Sequence, residues 1–193
     1  MKKLNRKGFT LIELLAVIVI LGILMLTAIP AVTRAIAKSR RNTFWQNAKQ
    51  YIQAAQTPFL AGEFVEGSDT CAIPKPNDAV EISLDQIEVE GGSVEKSAFG
   101  VGYQKGTSDK CVPKIYVVNE GTEATDATGT TEAKEGKDKL VWYFVGLDKS
   151  GNGIEKATRE SDLSLARVKT GLATTTECTP PTTITGTTHV CTK

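Results

Sequence analysis

The chain has 193 residues, with 23 Lys and Arg against 22 Asp and Glu, one histidine and four cysteines. A near-neutral chain gives no global electrostatic argument for a nucleic-acid partner, and a single histidine argues against a zinc site. The sequence also lacks a Gly-rich phosphate loop and a G-x-S-x-G motif, so it predicts neither an enzyme nor a bound cofactor.

The N-terminal segment combines a basic start with a long apolar run. Four cations in the first seven residues precede the Gly8-Phe9 junction, a lone carboxylate at Glu13 and twenty uncharged residues, 14–33. At a helical rise of ~1.5 Å per residue this run spans ~30 Å, the thickness of a bilayer's hydrocarbon core. The run is too long for the core of a secretory signal peptide, and the small residue precedes it instead of following it.

Membrane anchoring alone poorly explains three features of this segment: the Gly8-Phe9 junction, Glu13 and the weak helical stretch from Gly22 to Pro30. A carboxylate at the membrane edge is costly, so Glu13 is a candidate functional residue. The alternative is a glutamate that reaches the interface and is stabilised by the dipole at the helix N-terminus. Gly22 is a weak helix former, and Pro30 removes one backbone hydrogen bond, which predicts a kink near Pro30.

Apolar residues continue at three- and four-residue steps after residue 33, which predicts an amphipathic stem helix. We expect this helix to end near Gln56, because the residue before Pro58 is driven out of helical space. From residue 9 that helix is ~70 Å long. Its basic residues have two interpretations: they face lipid headgroups, or they meet the acid-rich residues 60–100 of another subunit's head.

The remaining chain predicts an α+β head, in which the second half of the long helix packs on an antiparallel sheet. Residues 57–78 are predicted to be a loop, and residues 79–90 fit both a strand and a helix, with a helical turn favoured at 83–87. Strands are predicted at 99–104, 112–119 and 140–147, with a long solvent loop before the last of them. Residues 160–169 are predicted to form a short helix, and the tail from residue 170 is predicted to have no regular structure.

A weak calcium candidate follows the last predicted strand. Asp148, Ser150 and Asn152 place oxygen donors at alternate positions, as in the first half of a calcium loop. The twelfth position is Arg159 instead of a bidentate glutamate, so the match is incomplete. The alternative is a tight turn rich in Gly and Asn.

The four cysteines all lie after the apolar run, which favours disulfides over buried free thiols. Four cysteines allow three connectivities. We expect the local pairs, Cys71 with Cys111 and Cys178 with Cys191, of which the second would pin the tail.

The stretch KGFTLIELLAVIVILGIL, which begins at Lys7, resembles the class III signal of type IV pilins and pseudopilins. The resemblance covers roughly residues 6–36. It implies that a prepilin peptidase cuts after Gly8 and N-methylates Phe9, and that Glu13 neutralises the new amine of a neighbouring subunit. It also implies that residues 22–30 melt into extended chain inside a filament, the alternative being a kinked helix.

Together these observations predict four regions: a leader at 1–8, a transmembrane and filament-core helix at 9–33, an amphipathic stem helix at 34–57, and a globular head at 58–193. The expected partners are further pilin copies, the prepilin peptidase, the inner-membrane assembly machinery and, before assembly, membrane lipid. The leader is expected in the cytoplasm and the head outside, first on the cytoplasmic membrane and then on an extracellular pilus.

Three functions follow from this interpretation. The first is a structural subunit of a type IV pilus. The second is a minor pilin or a pseudopilin of a secretion or competence system. The third, of another class, is a monomeric extracellular binding protein that is merely anchored by its helix, against which Glu13 argues.

Overall fold

The structure is a computed structural model. It describes residues 10–67, 69–87, 89, 111–123, 135–148, 151–173 and 176–193. The chain forms two compact units, Met1–Arg40 and Arg41–Lys193. One helix, α1, runs from Leu11 to Leu60, and every described residue up to position 40 is exposed.

Helix α1 ends later than predicted. It continues through Pro58 and stops at Leu60, because the stop signal is Gly62 in the left-handed conformation. The N–H of Glu63 donates to the carbonyl of Pro58 and the N–H of Gly62 to that of Phe59, which is the Schellman pattern of a helix end. The prediction of an end near Gln56 was wrong because packing of Phe59 outweighs the local bias before proline.

Within the described residues, seven strands follow the helix. They are β1 Val65–Glu66, β2 Asp69–Thr70, β3 Ala79–Ser83, β4 Lys114–Asn119, β5 Leu140–Leu147, β6 Gly153–Arg159 and β7 Thr188–Cys191. β1 and β2 form a small hairpin, and the other five form one sheet in the order β6-β5-β4-β3-β7. Its described pairs are antiparallel except β3 with β7, which is parallel.

Both faces of the central strands are covered. Alternate side chains point to opposite faces, so Ile115 and Val117 of β4 pack in the helix-side core while Tyr116 and Val118 pack on the other side. Two edge-to-face ring pairs join α1 to β5: Phe44 with Phe144 at 6.0 Å and Phe59 with Trp142 at 5.7 Å between centroids. Cys178 and Ile184 pack against the second face.

The predicted α+β class, with the second half of α1 on a sheet, is confirmed. The strand predicted at 140–147 has the observed bounds, and the strand at 112–119 starts two residues later than predicted. The described part of residues 79–90 contains both a strand and a helical turn, since β3 is followed by a 3₁₀ turn at Leu84–Gln86. The strand predicted at 99–104 lies outside the described residues.

Two predictions near the C-terminus were wrong. The short helix expected at 160–169 is instead two single 3₁₀ turns, Glu160–Asp162 and Leu165–Arg167. The tail expected to lack regular structure contributes β7, which pairs with β3 from Ala79 to Ile82. A short parallel strand of this kind has no local sequence signal, because its hydrogen-bond partner lies more than a hundred residues away.

Candidate functional site on helix α1

Helix α1 begins with a capping box that sequence reasoning missed. The backbone N–H and the hydroxyl of Thr10 both donate to Oε2 of Glu13, each at 2.8 Å, and the Glu13 N–H donates back to the Thr10 hydroxyl at 3.4 Å. Thr10 and Glu13 thus hold the N-cap and N3 positions of the T-x-x-E pattern. The pattern is legible in the sequence and could have been found there.

The box leaves part of the Glu13 carboxylate available. Both bonds from Thr10 end on Oε2, and Oε1 has no hydrogen-bond partner among the described residues. The side chain is exposed. Glu13 can therefore stabilise the first turn of its own helix and still receive a cation at Oε1.

The next twenty residues of α1 present apolar side chains around the whole helix. Residues 14–33 are all exposed and carry no charge. A window of this helix has a mean hydropathy of 2.8, which makes it long and apolar enough to cross a membrane. A helix that is apolar on all sides is stable when lipid or other apolar helices surround it, and not when water does.

Gly22 and Pro30 lie inside the continuous helix. An added side chain at Gly22 would meet nothing within 4 Å, so close packing within the described chain does not require glycine there. The hydroxyl of Thr27 bonds to the Leu24 carbonyl and that of Thr33 to the Pro30 carbonyl, so side chains compete for backbone groups on both sides of the proline. Melting of residues 22–30 in a filament stays a prediction. Gly8 and Phe9 lie outside the described residues.

The head is closed by two disulfides whose pairing differs from the expected one. Cys71 is bonded to Cys191, with 6.3 Å between Cα atoms, and Cys111 to Cys178, with 4.7 Å. The inner bridge is nested within the outer one. The local pairing was wrong because β7 returns the end of the chain to β3, and the N–H of Val65 bonds to the carbonyl of Thr192 just beyond Cys191.

The weak calcium candidate is a hairpin turn between β5 and β6. Oδ1 of Asp148 accepts a bond from the Asn152 N–H at 2.8 Å, and Oδ2 accepts one from the Asn152 side-chain amide at 2.9 Å. Both carboxylate oxygens are therefore used within the turn, and Gly151 supplies its left-handed residue. Ser150 lies outside the described residues.

A group of four bonded polar side chains in the described head joins four segments of the fold. Arg159 donates to the Tyr143 hydroxyl at 2.9 Å and to Glu120 at 2.6 Å, while Tyr143 also bonds to Glu120 and, at 3.3 Å, to Thr183. Burial, and then the bond to the Glu120 carboxylate, raise the pKa of Tyr143. These groups form hydrogen bonds with one another, and the bond from Thr183 to Tyr143 links the C-terminal segment to the sheet.

Comparison with known families gives a match in the N-terminal segment. The prokaryotic N-terminal methylation motif matches residues 3–29. This motif is the class III prepilin signal of type IV pilins and pseudopilins, so the resemblance noted in the sequence is confirmed for this segment. A comparison with solved structures gives no match.

Proposed function

We propose that this chain, which carries the class III prepilin signal, is the structural subunit of a type IV pilus. The signal itself implies processing by a prepilin peptidase and assembly into filaments, within a structural and non-enzymatic family. The observation that carries the proposal is the exposed, uncharged surface of residues 14–33, which begins directly after Glu13.

In this account the subunit is anchored in the membrane before it assembles. The prepilin signal and the apolar helix both fit such an anchored stage. Cleavage between Gly8 and Phe9 creates a new amine close to the helix start. In the filament, that amine of one subunit meets Oε1 of Glu13 in the next, while Oε2 keeps its bonds to Thr10. A carboxylate in an apolar bundle is tolerated when such a paired charge compensates it.

The head then forms the outer shell of the filament. The central strands of its sheet are covered on both faces, and its two disulfides close the described fold. The long-range pairing favours a stable shell subunit, because each bridge constrains a large part of the unfolded chain. A minor pilin or pseudopilin of a secretion or competence system is the second candidate, and it rests on the same signal.

The test is expression together with a prepilin peptidase, followed by shearing of the cells and analysis of the released filaments. We expect abundant filaments in which this chain is the main component. Mature protein that stays in the membrane without filaments would contradict the proposal of a major subunit. A Gly8→Ala variant is the matched control for processing, and normal maturation of that variant would refute the assignment of the cleavage site.

A further inference from the structure

Three cations follow the uncharged run of α1, and no described residue compensates their charge. Arg34, Lys38 and Arg40 are all exposed, and none of them forms an ion pair within the described residues. The sequence contains no Asp or Glu between positions 14 and 62, so no acid lies within helical reach of these three side chains. We call these three residues the basic collar.

The axial extent of the collar matches a layer of lipid headgroups. Residues 14–33 account for the ~30 Å of a hydrocarbon core, so Arg34 is the first residue beyond it. Arg34 and Arg40 are separated by ~9 Å along the helix axis. The polar region of a bilayer adds roughly 5 to 8 Å on each side of the hydrocarbon, which places all three cations in or at the edge of that layer.

The angular distribution of the collar distinguishes lipid from a protein surface. At 3.6 residues per turn, Lys38 lies about 40° around the helix from Arg34, whereas Arg40 lies about 120° away on the other side. A protein surface contacts one side of a helix and would leave one part of the collar unmatched. Headgroups surround the helix, and a neighbouring stem offers no acid to pair with, because its residues 14–62 are the same acid-free sequence.

We propose that Arg34, Lys38 and Arg40 bind the phosphates of anionic phospholipids while the subunit is held in the membrane. The proposal rests on the membrane stage of the proposed function. Guanidinium and ammonium groups form charge-assisted hydrogen bonds to phosphate oxygens. Each cation near an anionic membrane surface increases the affinity of the protein for that membrane by about fivefold. Removal of a subunit from the membrane therefore becomes harder as the anionic lipid content rises.

The test measures lipid selectivity of the full-length chain in phosphatidylcholine vesicles. Trace amounts of nitroxide-labelled phosphatidylglycerol or phosphatidylcholine are added, and the fraction of each label that is motionally restricted by the protein is recorded. The collar variant is Arg34→Gln/Lys38→Gln/Arg40→Gln. The matched control is Lys75→Gln/Lys137→Gln/Lys156→Gln, which removes three exposed head cations and changes the net charge equally.

We expect the wild type and the control to restrict phosphatidylglycerol about twofold or more over phosphatidylcholine, and the collar variant to lose most of that preference. High salt should weaken the preference in the wild type. Equal preference in the collar variant and the control overturns the proposal. If the collar variant instead keeps its lipid preference and loses cross-linking between copies, the collar binds a second copy and the proposal is also overturned.

Two features keep the outcome clear. The cationic leader is identical in all three proteins, so the difference between the collar variant and the control reports the collar alone. Thermal unfolding followed by circular dichroism verifies that both variants fold. The assay requires no filament, so a chain that fails to polymerise and still shows collar-dependent selectivity contradicts the pilus proposal and leaves the lipid site standing.

Discussion

The nested disulfides predict a large and nearly equal loss of stability when either bridge is removed. The outer bridge, Cys71–Cys191, spans 120 positions, and the inner bridge, Cys111–Cys178, spans 67. In the chain-entropy model these loops, each closed alone, correspond to about 4.9 and about 4.4 kcal/mol at 25 °C, and the remaining bridge lowers the value for the outer loop to about 4.2 kcal/mol. Folded domains have a free energy of unfolding of roughly 5 to 15 kcal/mol, so either loss is a large part of the total.

Urea unfolding of the full-length chain in mild detergent measures this loss. The fluorescence of Trp142 is a suitable reporter, because this residue is 8% exposed and its ring packs edge-to-face against Phe59. We expect the Cys71→Ala/Cys191→Ala variant and the Cys111→Ala/Cys178→Ala variant to lose similar amounts, within about 1 kcal/mol.

The number of free thiols per chain tests the disulfide pairing itself. In the Cys71→Ala/Cys191→Ala variant the Cys111–Cys178 bridge should persist, so titration of the denatured, non-reduced protein should find no free thiol. Two free thiols per chain would refute the nested pairing. In the alternative, local pairing, Cys178 would bond to Cys191, which lies 13 positions later in the sequence. That bridge would close a much smaller loop and stabilise the fold by about 2.9 kcal/mol.

Two further predictions concern the head. Asn119→Ala should lower the free energy of unfolding by more than about 3 kcal/mol in the same urea assay, because the fully buried amide bonds to the carbonyl of Pro74, to Asp138 and to two backbone N–H groups; a loss under 1 kcal/mol would contradict this account. Burial, and then the Glu81 carboxylate, raise the pKa of Tyr116, so its stabilising effect is complete below pH 10 and is lost as the pH rises further. From pH 8 to 11 the urea midpoint should therefore fall less steeply in Tyr116→Phe than in the wild type. The same pH dependence in both proteins would contradict this explanation.

The sequence predicted those elements whose signal is local. The run LVWYFVGL gave the bounds of β5 because it is rich in aromatic and branched residues and a glycine-containing turn follows it. The stripe on α1 identified the face that packs on the sheet, where Phe44, Ala48 and Ile52 are fully buried. The T-x-x-E pattern at Thr10 is an equally local signal, because its two residues are three positions apart.

The features that the sequence did not predict depend on distant partners. Most of β6 has only partly buried or exposed side chains, so it shows no apolar alternation, and its place is set by pairing with β5. β7 has four residues and is positioned by β3. The disulfide pairing follows from that return of the chain, which is why the preference for local loops failed.

We propose that α1 polymerises with copies of itself through the charge of Glu13. The direct measurement is the yield of sheared filaments from two variants that separate charge from capping, at equal levels of mature protein in the membrane. Glu13→Gln removes the charge and keeps a residue suited to the capping box, whereas Thr10→Ala keeps the charge and weakens the helix start by about 1 kcal/mol. We predict that Thr10→Ala retains most filaments and that Glu13→Gln loses them. Wild-type filament yield from Glu13→Gln would contradict the account.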